Sequence, residues 1–456
     1  MFRKNTELDI SASTASQLPT DRHTSTAQSL IGGKLSSVLS PVKKGVDLTS
    51  KRLVFKGLSY LQFGSITLIE NYGKKPKTHL FGEGNLNDSQ SKKNGEIAGS
   101  HPLHVTLTVH NPNFYRQLIT GGDIALADSY IDGEWEADDL TALIRLAARN
   151  INVMKQLQSK LSLLTKSVEF KKHKARSNTV SKAKSNILAH YDLGNDMYQT
   201  FLDKTMMYSS AIYPTPNTPL PEAQQTKLKT LCDMLELTPD DHLLEIGTGW
   251  GGLAIFAVQN YGCQVTTTTI SDAQYDEAKQ RVEQAGLTDK ITLLKEDYRK
   301  LTGQYDKLIS IEMVEAVGHE YLPTFFAKCN ALLKPKGIMA MQAITFNDQG
   351  YEDYLNSVDF IQSHIFPGGC LLSNQEIINQ FTEQTDMVVK SLIDYGYDYA
   401  YTLRDWRHAF MNRLDDIRAM GYDDKFIRLW QFYFAYSEGG FLERTIGVVQ
   451  VKAIKE

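Results

Sequence analysis

Cysteine is scarce in this chain: Cys232, Cys263, Cys329 and Cys370 are scattered, and none stands in a CxxC pair. That excludes a zinc ribbon, gives no reason to expect a disulfide framework, and is the usage of a reducing compartment. No uncharged apolar run reaches the length of about 18 residues that a membrane span requires, so no transmembrane helix is expected. The N-terminus has no apolar core of the kind a secretory signal carries. Neither charge dominates. Lys and Arg number 49 against 53 Asp and Glu, a net charge of -4, which provides no global argument for nucleic acid. No metal-ligand spacing appears either, so no metal is expected. The first forty residues hold 13 Ser or Thr together with Glu7, Asp9 and Asp21. Acids of that kind argue against a transit peptide and for a disordered tail over 1–45.

What is present is enough apolar material for two or three domains, 42% of 456 residues. Residues 46–150 contain alternating segments such as Ser65–Glu70 and His104–Val109. These predict strands with one buried face. A polar loop over 82–100 separates them, and Phe114–Ile119 reads as a short helix stopped by Gly121 and Gly122. The result is a small α+β domain without a catalytic constellation of its own. Leucines at helical spacing over 140–164 then run into a basic stretch, with nine Lys or Arg and one acid, Glu169, over 151–185. This linker reads both as a helix lying on an anionic membrane and as a solvated spacer.

From 186 to 456 helices alternate with apolar strands, the pattern of an α/β, doubly wound, mostly parallel sheet. Ligands in such sheets lie at the carboxyl ends of the strands. There the chain reads Leu243-Leu244-Glu245-Ile246-Gly247-Thr248-Gly249-Trp250-Gly251-Gly252. Glycines at 247, 249 and 251 allow a tight turn and a close approach of backbone to ligand. The spacing GxGxG differs from the GxGxxG of dinucleotide folds, which seat a pyrophosphate on a helix N-terminus. It points to S-adenosylmethionine, a cation that a strand-end acid such as Glu245 suits, although a glycine-rich strand-to-helix turn alone has the same sequence. The next strand ends in Thr268-Thr269-Ile270-Ser271-Asp272-Ala273-Gln274, so hydroxyls and an amide must do the polar work there. The one after ends in Glu296-Asp297-Tyr298, where an acid and a ring could hold adenine or simply cap a helix and fill a core. Glu312 and Glu315 lie three apart in an otherwise apolar run. They are either cleft carboxylates that need compensation or surface acids at a helix start.

Five blocks in order resemble the cyclopropane fatty acid synthase family: His190-Tyr191-Asp192-Leu193-Gly194-Asn195-Asp196, Met207-Tyr208-Ser209-Ser210-Ala211, the glycine loop, Glu315-Ala316-Val317-Gly318, and Ile365-Phe366-Pro367-Gly368-Gly369-Cys370. The resemblance is close over 186–456 and looser over 46–150. It implies a class I methyltransferase sheet with helical lid insertions. It also implies transfer of a methyl group from S-adenosylmethionine to a cis double bond in a phospholipid acyl chain, closed to a cyclopropane by a bicarbonate ion acting as base. Carried over by motif, the catalytic residues are Glu315, Tyr399, Ser210, Gln342 and Ile344. The cofactor contacts are Tyr208, Ser209, Gly247, Gly249, Gly251, Thr269, Gln274, Asp297 and Tyr298. Replacing Glu315 by Gln is expected on this basis to leave cofactor binding nearly intact and to cut turnover by about 100-fold or more.

Two positions depart from the family's usual pattern: Ser210 stands for a cysteine and Gln342 for a histidine. A glutamine amide donates but cannot relay a proton. Proton loss from a chain carbon would leave a methyl-branched or methylene chain instead. The aromatic run from Phe360 to Tyr436 is expected to be mostly core, with a few rings lining an acyl tunnel, and Cys370 to be a packed thiol. The implied partner is a phospholipid membrane surface reached from the cytoplasm at its inner face, with a homodimer possible and no nucleic acid. A methyltransferase of soluble small molecules and a non-catalytic lipid-binding protein are the alternatives.

Overall fold

The computed structural model describes residues 48–82, 103–151 and 194–456. The tail over 1–45, the loop over 83–102 and nearly all of the basic linker, 152–193, lie outside the described residues. Met1–Thr49 and Ser50–Glu456 are separate units, and all that follows concerns the second.

Alternation in the N-terminal part produces a four-stranded sheet, ordered β2-β1-β3-β4, from β1 (Ser65–Glu70), β2 (Lys77–Phe81), β3 (His104–Val109) and β4 (Trp135–Ala137). Leu68, Val105, Leu107 and Val109 fill its inner face. One expectation fails here. The helix begun at Phe114 does not stop at the glycine pair but runs as α1 over Asn113–Ile131, bent at Gly122 (φ 62°, ψ -140°). Glycine takes that conformation without a Cβ penalty, while Ala127 and Tyr130 beyond the bend keep a buried face that draws the chain back into a helix. Next comes α2 (Leu140–Arg149), capped by the Asp139 carboxylate, which accepts from the Ala142 N–H.

The large sheet has the order β11-β12-β9-β8-β5-β6-β7, with β10 (Leu372–Ser373) beside β9. Its parallel half comprises β5 (His242–Ile246), β6 (Gln264–Thr268), β7 (Ile291–Leu294), β8 (Tyr305–Ile311) and β9 (Leu333–Phe346). Both faces are covered, by α3 (Leu220–Met234), α4 (Gly252–Tyr261), α5 (Asp272–Gln284), α6 (Leu322–Leu332) and α7 (Asn374–Gln384). This is why the middle and end of β5, Leu243 to Ile246, are apolar save for Glu245. β12 (Ile446–Lys455) and β11 (Met387–Asp394) add antiparallel strands at β9. Between them the chain makes α8 (Gly396–Met411) and α9 (Asp424–Leu442), a helical cap. The architecture is the class I methyltransferase sheet with added helices.

The small N-terminal sheet does not have a core to itself. One apolar cluster runs from Val54 and Val105 through Trp135 and Ile144 to Trp406, Trp430 and Phe441. Polar contacts reinforce it. Arg145 Nε and Arg149 Nε reach the two oxygens of Glu443 at 2.7 and 2.8 Å, and Thr141 Oγ1 donates to Glu438 at 3.1 Å.

Candidate active site

At the end of β5 the backbone turns through three left-handed glycines, Gly247 (φ 100°), Gly249 (φ 52°) and Gly251 (φ 83°). Their tasks differ. A Cβ on Gly249 would meet nothing within 4 Å, so this peptide is open to a ligand, whereas one on Gly251 would touch Ala278 of α5 at 3.4 Å. Gly252 was not singled out in the sequence, yet a Cβ there would lie 2.6 Å from the Thr205 carbonyl oxygen and 2.8 Å from Met207 Sδ. It is what lets segment 205–209 lie against the loop. The fourth glycine of the run was its signal.

Glu245 is buried and accepts from Thr267 Oγ1 at 2.5 Å; burial pushes its carboxyl up to about 7. A second residue missed in the sequence stands nearby. Lys227 of α3 is fully buried and donates to Ser209 Oγ at 2.7 Å. Burial lowers its ammonium to about 8, against the pull of Glu312, Asp203 and Glu245. Its signal was a lysine on the buried face of α3, next to Leu228 and Leu231.

Thr269 Oγ1 donates to Gln274 Oε1 at 2.9 Å and accepts from the Ser271 N–H, tying the end of β6 to the start of α5. Asp297 is engaged by Arg299, at 2.8 and 2.6 Å. Burial raises its carboxyl, but those bonds outweigh burial and hold it below the usual range. The Tyr298 hydroxyl is buried and has no hydrogen-bond partner among the described residues. Tyr208 shares a hydroxyl–hydroxyl bond of 2.9 Å with Tyr433.

The two carboxylates after β8 both face inward, so the surface-acid alternative is excluded. Glu312 is the hub. It accepts from the Ser210 N–H at 2.8 Å, from Gln342 Nε2 at 2.7 Å and from the Tyr399 hydroxyl at 2.7 Å. Gln342 also donates to the Ser210 carbonyl at 3.1 Å and accepts from Gln450 at 2.8 Å. Glu315 accepts from the Ile344 N–H at 2.5 Å through Oε1, while its Oε2 has no partner among the described residues. Burial raises Glu312 against its three donors. Burial first, and the charge of Glu312 second, push Glu315 up to about 8. The surroundings of the pair thus differ: three donors favour the charged form of Glu312, whereas burial and the neighbouring carboxylate favour the protonated form of Glu315. Glu312 has a further peculiarity, a φ of 46°, where a side chain costs about 1 kcal/mol that glycine would not.

The donors that the family resemblance assigns to a bicarbonate ion are thus engaged by the protein's own carboxylates. Ser210, Gln342 and Tyr399 serve Glu312, and Ile344 serves Glu315. A second anion on the same groups would meet two carboxyls, and the residues present do not fit it.

A cavity of about 1250 Å³ joins these parts. Tyr208, Ser209, Gly247, Gly249, Thr269, Gln274, Asp297, Tyr298, Glu312, Glu315, Ile344 and Tyr399 line it. Ser210, Gln342 and Gly251 do not; they stand behind the wall, the first two holding Glu312. From the carboxylates the cavity continues past Phe366, Phe432, Tyr433 and Phe441 to Leu118, Gly122 and Leu126 of α1 and Ile144, Ala147 and Ala148 of α2. Of the aromatic run, Trp406, Phe410, Trp430 and Phe434 are fully buried core. Cys370 is half-buried and lines the cavity, but burial pushes its thiol up to about 12, so it supplies no thiolate.

Comparison with known proteins agrees with this geometry. The sequence profile described as mycolic acid cyclopropane synthetase matches residues 178–451. A tuberculostearic acid methyltransferase of Mycobacterium tuberculosis is 36% identical over 363 residues, 78% of this chain and 84% of that protein. The cyclopropane-fatty-acyl-phospholipid synthase of Escherichia coli strain K12 is 34% identical over 369 residues, 80% of this chain and 91% of that one. Among solved structures, a mycolic acid cyclopropane synthase complexed with SAH and CTAB superposes with a TM-score of 0.56 at 28% identity, covering 60% of this chain and 98% of that chain. With a glycine loop open at Gly249, an acid at the strand end and a cavity that continues into apolar space, the chain belongs to the cyclopropane synthetase family and is an S-adenosylmethionine-dependent methyltransferase of that type.

Proposed function

We propose that this enzyme methylates the cis double bond of an unsaturated acyl chain in a membrane phospholipid and closes the product to a cyclopropane. The observation that carries the reading is the two-sided cavity, polar around the glycine loop and mostly apolar from Phe366 to Ala148, with Asp123, Asp359 and Gln362 also in its wall. An alkyl chain is the ligand that such a continuation suits. S-adenosylmethionine, when bound, supplies an electrophilic methyl group. Gly247 and Gly249 would admit it closely, Glu245 would face its cationic end, and Tyr298 has a hydroxyl free to meet it. An alkene is a weak nucleophile, so the protein's task is to hold the double bond close and in line. Ile344, Phe366 and Phe441 shape the channel that does so. The rings of Tyr399 and Phe441, stacked at 4.4 Å, stand beside the carboxylates, where π-faces stabilise a cationic chain by about 0.5 to 2 kcal/mol each.

Docking on a lipid surface is part of the proposal. Tyr60, Phe63, Leu80 and Ile151 are 58%, 54%, 61% and 49% exposed on the small sheet and its helices. Asn150 joins two of them, since its side chain binds the Gln62 N–H and the Phe63 carbonyl at 2.8 and 2.9 Å while Ile151 follows it at the cavity. No described helix is long and apolar enough to cross a membrane.

The test is mass spectrometry of phospholipid acyl chains after expression in a host that lacks such modification. A gain of one CH2 with the double bond consumed and no extra hydrogen is the expected result; unchanged lipids with methylated soluble compounds would overturn it. A methyl-branched or methylene product is the second reading, favoured by the 36% identity to a tuberculostearic acid methyltransferase. Fragmentation separates it from the ring.

A further inference from the structure

Three groups implied to hold an external base converge here on a side chain. The Ser210 N–H, the Gln342 amide and the Tyr399 hydroxyl all donate to Glu312, within 2.7 to 2.8 Å. The carboxylate lines the same cavity as the glycine loop and the apolar channel. Its backbone holds the left-handed conformation, φ 46°, at a position where glycine would sit without strain. Strain kept in a side chain that lines a reaction cavity marks a function for that side chain. Its partners also suit a proton acceptor. Gln450 orients the Gln342 amide, Lys227 lies close enough to favour its charge, and Glu315 beside it stays neutral.

We propose, resting on the function above, that Glu312 is the general base of this enzyme, its carboxylate standing where relatives would hold a bicarbonate ion. The methyl carbon, once bonded to one alkene carbon, leaves its neighbour cationic. Glu312 takes a proton from that new methyl group. The C–H bond breaks, its electron pair forms the third bond of the ring, and the positive charge is discharged. Glu312 becomes the neutral acid and releases the proton to water between turnovers. No co-reactant is consumed.

The experiment compares wild type, Glu312→Gln and Glu312→Gly on vesicles of an unsaturated phosphatidylglycerol, in buffer purged of carbon dioxide and then with bicarbonate added. Cyclopropane formation by the wild type reports on the function itself, and the response to bicarbonate reports on the base alone. Wild type should turn over equally in both buffers. Both variants should bind S-adenosylmethionine normally and lose about 100-fold or more in turnover, the scale of a lost general base. Glycine frees the donors and fits the backbone, so bicarbonate should return at least about 10-fold to Glu312→Gly and nothing to Glu312→Gln. Wild-type activity that depends on bicarbonate would overturn the proposal. So would turnover surviving in Glu312→Gln, or a Glu312→Gly variant that bicarbonate does not rescue, since Glu312 would then only brace the wall.

Discussion

Glu315 ties stability to pH. Its carboxyl is raised from 4.5 to about 8 by burial and by the charge of Glu312, so the folded protein holds this proton more tightly than the unfolded chain does. A group raised in this way contributes stability that is fully present below pH 4.5 and lost as pH climbs through 8. Thermal melts between pH 6 and 9 should show the wild type losing stability, and Glu315→Gln should flatten that loss. The same protonation changes the expected cost to catalysis. An amide mimics the neutral acid and still accepts from the Ile344 N–H, so Glu315→Gln should keep turnover at pH 7 within about 10-fold, and not fall the 100-fold expected of a lost charged group. Steady-state kinetics of Glu315→Gln beside Glu312→Gln decide which carboxylate does the chemistry. The sequence could show two acids in an apolar run. Which of them receives the donors depends on strands β9 and β12 arriving from far along the chain.

Among the elements, the glycine loop and its neighbours separate contact with ligand from contact with protein. Gly249→Ala places a methyl group toward the cavity and asks it to sit at φ 52°; about 1 to 2 kcal/mol of stability should be lost, with weaker S-adenosylmethionine binding. Gly252→Ala pushes instead on the Thr205 carbonyl, costing about 1 to 3 kcal/mol and displacing Tyr208 and Ser209. Calorimetric titration with S-adenosylmethionine alongside thermal denaturation should show similar stability losses, with binding affected directly in the first and through the shifted segment in the second. In α3, Lys227→Met keeps the buried volume but removes the cation whose field lowers Glu245 and Glu312. The acid limb of the pH–rate profile should then move upward; an unmoved limb would show that the lysine only anchors Ser209. The strand-and-helix alternation from 242 to 344 was legible because buried parallel strands are written as apolar runs. The continuation of α1 beyond Gly121–Gly122 was not, because a glycine pair reads as a stop until a buried face on its far side draws the helix on.

At the scale of the whole molecule, the cavity passes from the glycine loop to the helices of the N-terminal sheet, so the part without chemistry still shapes one end of the cavity. If the exposed rings there engage lipid, Tyr60→Asp with Phe63→Asp should lower co-sedimentation with phospholipid vesicles and turnover on them several-fold, while S-adenosylmethionine binding stays intact. Equal vesicle binding by this double variant would move the docking surface elsewhere. By itself the sequence determined the cofactor class, the parallel sheet and the family, because glycine spacing, apolar runs and ordered motif blocks are local and survive without neighbours. Only the tertiary structure decided how the site is wired. A hydrogen bond from Ser210 or Tyr399 to Glu312, a lysine sunk beside Ser209, and one core shared by the N-terminal and C-terminal parts all join residues distant in the chain. Such partners are chosen by packing and desolvation, which no local pattern records.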